Sequence, residues 1–158
     1  MRSGIALCSL LLLTSCASRV GGSICLLPQG YIGPVLIIYG QKDGDPPEIE
    51  RGLHVYRIPA TGVVRTRNEY QRKIEAREYY YVDSAGTRSP IHLKLPDHYS
   101  GHDTIRLTRE GSYCFNDMEW TYGSLKYRTF GVADEQRMDS VDLEITRLQF
   151  KLDQSLER

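Results

Sequence analysis

The sequence predicts a mainly β protein, a single β-sandwich domain with a C-terminal α-helix. Three observations support this. Short apolar or alternating segments recur along the chain between Gly- and Pro-rich turns, which is typical of sandwiches and barrels. The 158 residues include 11 tyrosines, and tyrosine favours strands because its ring covers a half-buried sheet face. Near the C-terminus, a long segment without Gly or Pro carries apolar residues at helical spacing.

The N-terminal half contains the most regular predicted strands. Residues 33–39 begin with Gly-Pro and continue with β-branched side chains, and Pro is tolerated at the first position of a strand. Residues 53–58 alternate apolar and polar side chains, near the period of a half-buried strand. Turn residues at 28–31 and 40–47 separate these segments. The predicted strands of this half are residues 24–27, 33–39, 53–58, 63–66 and 78–82.

The later strands are predicted from shorter patterns. Residues 68–77 are polar, and the sequence leaves a helical turn and a loop as alternatives there. Gly123 and Gly131 are interpreted as bends in the last strands. The predicted strands of this half contain Ile91, Leu93 and Leu95, then Ile105 and Leu107, then residues 112–115 and 120–132.

A helix is predicted over residues 139–156. Asp139 or Ser140 is suited to cap its start. Alternation over Val141, Leu143 and Ile145, and again over Leu148, Phe150 and Leu152, also fits a strand. More than twenty residues without Gly or Pro favour the helix. The apolar residues at helical spacing are Val141, Ile145, Leu148 and Leu152.

The charge balance excludes some classes of function. Lys plus Arg number 20, Asp plus Glu number 20, and the formal net charge is zero. A nucleic-acid-binding domain would carry a positive excess, so no nucleic-acid partner is expected. A chain with 41% hydrophobic residues also does not resemble a disordered polyelectrolyte.

The pattern of residues 1–15 predicts a lipoprotein signal peptide. Arg2 precedes the apolar run 5–13, which is far shorter than the ~20 residues of a membrane-spanning helix. The run ends in Leu13-Thr14-Ser15-Cys16, which resembles the lipobox of bacterial lipoproteins. The resemblance implies lipidation of the Cys16 thiol and cleavage before it. An ordinary signal peptide and a cytosolic protein with an apolar start are the alternatives.

The predicted lipid anchor sets the expected location and domain boundaries. Ala17 follows Cys16, whereas in Gram-negative lipoproteins an Asp at this position retains the protein at the inner membrane. The expected location is therefore the bacterial outer membrane, with the domain facing the periplasm. Residues 16–23 form a lipidated tether and residues 24–158 the sandwich with its helix. The expected partners are the membrane and an unidentified envelope protein.

The four cysteines are assigned different roles. Cys8 lies in the signal peptide and Cys16 is the lipid site. Cys25 and Cys114 remain as a pair in an oxidising compartment, so a disulfide between them is predicted. It would close a loop of about 90 residues and stabilise the fold by roughly 4–5 kcal/mol. The alternative is two buried free thiols.

Two clusters of potential metal ligands occur in loops. His98 and His102 are four residues apart and Asp103 follows, which makes them weak candidates for zinc, with a solvated polar loop as the alternative. Asp43, Asp45, Glu48 and Glu50 lack the remaining ligands of a calcium loop, so an acidic turn is favoured. No catalytic residue and no cofactor is predicted, because nucleophile elbows and phosphate-binding glycine loops are absent from the sequence.

Three consecutive tyrosines suggest either sheet packing or ligand binding. On a strand, Tyr79 and Tyr81 share one face and Tyr80 lies on the other, so at least one face is expected in the core. Aromatic rings also stack on sugars, so an exposed face would suit a glycan or another small ligand.

Several segments resemble a bacterial family catalogued only as a domain of unknown function. They are residues 27–40 (LPQGYIGPVLIIYG), 44–48, 55–59 (VYRIP), 62–66 and 79–83 (YYYVD), and the resemblance spans about 26–92. It implies a small envelope protein and no particular catalytic residue. The order of these motifs is also similar to prealbumin-like β-sandwich modules, which are mostly accessory or binding domains.

The expected function is therefore a non-enzymatic structural or binding accessory, anchored by lipid in the bacterial envelope. Two alternatives from other classes are kept. One is a metal-dependent envelope hydrolase that uses the His/Asp loop of residues 92–103. The other is a small-ligand or glycan binder that uses tyrosines on a sheet face.

Overall fold

The computed structural model describes residues 21–71, 76–94 and 111–156, which form two β-sheets and one helix. In chain order the elements are β1 (Gly22–Pro28), β2 (Gly33–Ile38), β3 (Ile49–Glu50), β4 (Leu53–Arg57), β5 (Val63–Arg65), β6 (Ala76–Val82), β7 (Arg88–Pro90), β8 (His92–Leu93), β9 (Tyr113–Tyr122), β10 (Leu125–Ala133) and α1 (Met138–Leu156). The predicted mainly β fold with a C-terminal helix is confirmed. The strand alternative for the C-terminal segment is wrong.

The strands divide into two five-stranded sheets. The first, called the β1 sheet, has the order β3-β4-β1-β6-β7, and the second, the β2 sheet, has the order β5-β2-β10-β9-β8. β1 is central in its sheet and runs parallel to both β4 and β6. Its sequence suits this position, because a central strand covered on both faces is apolar at nearly every position. Six of its seven residues are buried.

The main core lies between the two sheets. It includes Cys25 and Leu27 of β1, Ile37 of β2, and Phe130 and Val132 of β10, all at most 1% exposed. Side chains from the facing surfaces of both sheets therefore fill one continuous layer. Tyrosines contribute much of the remaining volume: Tyr39, Tyr56 and Tyr79 are buried, and Tyr31, Tyr70 and Tyr81 pack against them.

The helix covers the outer face of the β2 sheet. It contacts β10 and β2, and its residues Val141 and Ile145 are 4% and 5% exposed. Val141 packs with Phe115 and Ala133, while Leu152 packs nearer the other end of the sheet. The helical spacing seen in the sequence therefore corresponds to a buried stripe. No helix among the described residues is long and apolar enough to cross a membrane.

Ion pairs surround a second apolar layer on the outer face of the β1 sheet. Ile24, Leu26 and Val55 are buried there, and Leu53, Tyr80 and Val82 pack against them. Around this layer Arg88 pairs with Glu50 at 2.8 Å, and Arg51 pairs with Glu78 at 2.6 Å. These pairs are partly exposed, so each contributes little stability by itself.

The structure changes some predicted boundaries. β1 begins at Gly22, so two residues assigned to the tether 16–23 belong to the strand. The strand expected around Ile91 is divided into β7 and β8. Gly123 forms the β9–β10 turn as a left-handed residue with φ 56°. Gly131 lies within β10, where a Cβ would come 2.5 Å from the Phe115 ring. The strand predicted at 105–107 lies outside the described residues.

Candidate functional site

A buried ionic centre joins the two sheets. Arg128 of β10 is fully buried and donates from Nε and Nη2 to the two carboxylate oxygens of Asp117, at 2.6 and 2.7 Å. Its remaining donors reach across the core to Ser23 Oγ and to the Tyr79 hydroxyl, both at 2.8 Å. The Tyr79 hydroxyl donates in turn to Asp117. Every charged group in this centre therefore has partners, as burial requires.

A second arginine extends the centre toward the surface. Arg77 of β6 lies 2.8 Å from Asp117 Oδ2 and 2.8 Å from Glu119 Oε1. Glu119 also accepts a hydrogen bond of 2.8 Å from the Tyr70 hydroxyl. Burial opposes ionisation of Asp117, but the charges and hydrogen bonds of Arg128, together with Arg77, hold its pKa below the usual range. The centre is thus ionised and fixed at neutral pH.

The two cysteines of the domain lie beside this centre as free thiols. Cys25 and Cys114 are both fully buried, and neither is in a disulfide. The predicted disulfide is therefore absent from the structure, and the alternative of two buried thiols describes it. Each thiol has a polar neighbour in the ionic centre: the Arg128 guanidinium beside Cys25 and the Tyr79 hydroxyl beside Cys114.

Burial makes both thiols chemically inert at neutral pH. It raises the pKa of Cys25 to about 11 from 9.0, although Arg128 acts in the opposite direction. It also raises the pKa of Cys114 well above its usual value. Because the thiolate is the nucleophile, neither residue is activated for catalysis.

Alkylation should therefore depend on unfolding. We expect iodoacetamide to leave Cys25 and Cys114 unmodified in the native protein at neutral pH and to modify both in urea without reductant, because only unfolding exposes them. Mass spectrometry of tryptic peptides measures this. If both cysteines resisted alkylation in urea until a reductant was added, the disulfide predicted from the sequence would be present.

A cleft opens at the side of the domain where β4 and β5, which belong to different sheets, lie close together. Residues 45–48, called the edge strap, cross from one sheet to the other. Asp45 N donates to Arg65 O at 2.7 Å on the β5 side. Glu48 O accepts from Val55 N at 2.9 Å on the β4 side. The strap contains Pro46 and Pro47, whose fixed φ angles stiffen it.

The cleft beside the edge strap has an apolar wall and a charged rim. Its volume is about 570 Å³, within the range of small-molecule sites. Val55, Tyr56 and Val64 are among its lining residues. At the rim, Arg57 donates to both carboxylate oxygens of Glu48 at 2.7 and 2.9 Å, and 64% of the Arg57 side chain is exposed. The arrangement suits a ligand with an apolar body and a polar or anionic group.

The acidic residues considered for calcium are separated by arginines. Arg65 pairs with Asp43 at 3.0 Å, Arg57 with Glu48, and Arg88 with Glu50. In the described part of the chain, no group of three or more His, Cys, Asp or Glu side chains is placed to hold a metal ion. An acidic turn with paired carboxylates describes the local geometry.

Most of the histidine and aspartate residues considered for zinc lie outside the described residues. His98, His102 and Asp103 all fall in the segment 95–110, which the structure does not describe, and His92 is exposed on β8. The lipid-site residue Cys16 also lies outside the described residues. A further histidine, His54 on β4, was not singled out by the sequence. It lies 3.2 Å from Gln71, and burial lowers its pKa.

The three tyrosines alternate across the β1 sheet as predicted. Tyr79 and Tyr81 face the main core, whereas Tyr80 packs on the outer face. The Tyr80 hydroxyl donates to Glu78, and Arg88 lies 6.0 Å from the ring centre. All three rings therefore take part in sheet packing.

Comparison with known proteins identifies the family. Residues 21–140 match a family described as "Family of unknown function (DUF6843)". The chain belongs to this family. The DUF6843 match covers all ten strands, including those that carry the ionic centre and the cleft, and ends in the first turn of α1. The resemblance to a family of unknown function is confirmed, and the match extends beyond the span of 26–92.

Other comparisons give little more about the DUF6843 chain. No curated protein matches it. A crystal structure described as "Putative Lipoprotein from Bacillus anthracis" is similar at 16% identity with a TM-score of 0.49, covering 74% of this chain and 76% of that chain.

Proposed function

We propose that this protein is a lipid-anchored component of the bacterial envelope, held in the outer membrane with its domain facing the periplasm. The support is the signal-like start followed by the lipobox-like Leu13-Thr14-Ser15-Cys16. The first strand follows Cys16 closely in the sequence, because β1 starts at Gly22. The domain would therefore stay close to the membrane surface that holds the lipid.

The domain itself acts as a non-enzymatic binding accessory, in a β-sandwich of the prealbumin type. The observation that carries this proposal is the cleft beside the edge strap. Its apolar wall at Val55 and Val64 and its charged rim at Arg57 suit recognition of an amphipathic ligand. Tyr56, a buried core residue, closes the floor of the same cleft with its ring edge at most, so the apolar wall is mainly aliphatic.

The ionisable groups near the core support binding over catalysis. Asp117 is held ionised by Arg128, and the thiols of Cys25 and Cys114 are held neutral by burial. A general acid or base works best with a pKa near the operating pH, and a nucleophile needs an accessible deprotonated form. These groups serve the packing of the two sheets.

The lipid anchor makes a direct prediction. Cys16→Ser should abolish incorporation of a labelled fatty acid and release the protein from the membrane fraction, because the proposed acyl chains are attached through this thiol and supply the membrane affinity. Metabolic labelling and membrane fractionation measure both effects. Cys8→Ser is the matched control, since it changes the other cysteine of the N-terminal region and should leave labelling intact. Continued labelling of the Cys16→Ser protein would contradict the anchor.

A fluorescent amphipathic anion tests the cleft. We expect anilinonaphthalene sulfonate to bind the native, full-length protein saturably, with its rings on the apolar wall and its sulfonate near Arg57. Arg57→Glu should weaken binding by roughly tenfold, since it replaces an attraction with a repulsion. Arg88→Glu is the control, because Arg88 is also ion-paired but does not line the cleft. Equal effects of both variants, or no saturable binding, would contradict the proposal.

A further inference from the structure

Three aromatic side chains are exposed at one end of the domain. Trp120 and Tyr122, which belong to β9 next to the β9–β10 turn, are 40% and 37% exposed. Phe150, in the C-terminal half of α1, is 63% exposed. Single exposed apolar side chains are common, but aromatic groups gathered at one end of a domain are typical of a surface that contacts a partner or a membrane.

The β9–β10 turn lies at the end of the domain where β1 begins. Arg128, three residues after the start of β10, donates to Ser23, the second residue of β1. Lys126 O accepts from Tyr39 N, and β2 ends immediately before Tyr39. The first residues of β10, the end of β2 and the start of β1 are therefore at one level, and the turn at Gly123 projects beyond them.

The helix points toward the same end. Its first half packs at Val141 against Ala133, the last residue of β10. Its second half packs at Leu152 against Ile38 and Tyr127, which belong to the end of β2 and the start of β10. The helix therefore runs back along β10, and Phe150 lies near the β9–β10 turn.

The chain before β1 limits how far this end can lie from the lipid. Five residues separate Cys16 from Gly22, and an extended chain spans at most about 3.5 Å per residue. The start of β1 is thus within about 20 Å of an acylated Cys16. The same membrane interface is within reach of the aromatic end of the domain.

We propose that the β9–β10 turn and the C-terminal half of α1 form a membrane-contact surface, with Trp120, Tyr122 and Phe150 in the interfacial layer of the bilayer. The inference rests on the proposed lipid anchor. Trp and Tyr are enriched in this layer because their rings are apolar and their polar atoms remain hydrated. Lys151, which follows Phe150 in the sequence, suits the layer of lipid headgroups. The contact would fix the orientation of the cleft relative to the membrane.

The protein contains a single tryptophan, so its fluorescence reports on Trp120 alone. The full, lipidated protein is inserted in vesicles of phosphatidylethanolamine and phosphatidylglycerol, with and without brominated phosphatidylcholine. We expect the brominated lipid to quench emission by roughly half, because bromine acts only at short range and interfacial Trp lies beside the upper acyl chains. Emission that is equal in both kinds of vesicle would overturn the proposal.

A pair of helix variants tests the geometry. Phe150→Ser should reduce quenching of Trp120 at least twofold, because it removes an apolar side chain from the same contact. Leu143→Ser is the matched control, since Leu143 is 52% exposed and lies on the same helix face, about 10 Å farther from this end. Quenching changed equally by both variants would overturn the proposed surface.

Flotation separates this inference from the anchor. Protein that floats with the vesicles but shows no quenching leaves the anchor intact and overturns the contact surface. Protein that does not float with the vesicles overturns the anchor and, with it, the surface that depends on it.

Discussion

Replacing Arg128 with Met is expected to lower the free energy of unfolding by about 3–5 kcal/mol. The substitution removes the cation that holds Asp117 in the core and leaves Ser23 and Tyr79 without their donor. Asp117, whose side chain is only 4% exposed, then keeps Arg77 as its one cationic partner. Urea denaturation followed by far-UV circular dichroism measures the change.

Two further variants separate loss of the buried pair from loss of any arginine. Arg57→Met removes an exposed ion pair with Glu48 and should cost at most about 1 kcal/mol. Adding Asp117→Asn to Arg128→Met should restore part of the lost stability, because a neutral amide then replaces the buried carboxylate that had lost its main cationic partner. Comparable losses for Arg128→Met and Arg57→Met would mean that the ionic centre is not an important source of stability.

Alkaline pH should weaken the fold through the buried thiols. Burial raises the pKa of Cys25 from 9.0 to about 11, and it also raises that of Cys114 well above its usual value. A raised pKa means that the folded state disfavours the thiolate. The contribution is therefore complete below the unfolded pKa and is lost as the pH rises through the folded value. For Cys25, the loss between about pH 9 and 11 is roughly 3 kcal/mol.

The measurement compares the protein with its Cys25→Ala variant. Urea midpoints are determined at about pH 7.5 and 10.5, and the unaltered protein should lose more stability over this interval. Buried tyrosines such as Tyr79, whose pKa burial also raises, act in the same direction in both proteins. The difference between the two therefore isolates the thiol. Identical pH dependence in both would show that Cys25 does not couple folding to pH.

Periodic patterns in the sequence predicted most of the fold. β2 and β4 follow the predicted residues 33–39 and 53–58 because their side chains have the apolar pattern that a packed strand needs. The helix was predicted because Val141 and Ile145 lie about one turn apart in a segment without Gly or Pro, and both residues are buried in the structure. These elements depend on neighbours in the sequence, which a local pattern records.

The ionic centre could not be predicted in the same way. Arg128 and Asp117 would normally be placed on a solvent face, since charged residues are rarely fully buried without partners. One signal was present: Arg128 alternates with Phe130 and Val132 along one strand, so these residues share a face. Its partners Ser23 and Tyr79 come from strands that only the fold brings near.

The cleft and the state of the cysteines also depend on distant contacts. The edge strap joins Asp45 to Arg65 and Glu48 to Val55 through backbone hydrogen bonds, and neither pair has a sequence signal. Cys25 and Cys114 were paired because they are the two cysteines left after Cys8 and Cys16 are assigned. The sequence contains no information on whether their thiols lie within bonding distance in the fold. The observed partners of these thiols, Arg128 and Tyr79, belong to the ionic centre.

The position of β1 has a consequence for the order in which the chain acquires structure. β1 is the first strand in the chain, yet its two hydrogen-bonded neighbours are Leu53–Arg57 and Ala76–Val82. In a polypeptide that emerges N-terminus first, β4 becomes available to this apolar segment only after about thirty further residues, and β6 only after more than fifty. Long-range parallel pairing of this kind is slow. Until those partners arrive, the segment Gly22–Pro28 exposes apolar surface and unpaired strand edges, the features that make an incompletely folded chain prone to aggregation.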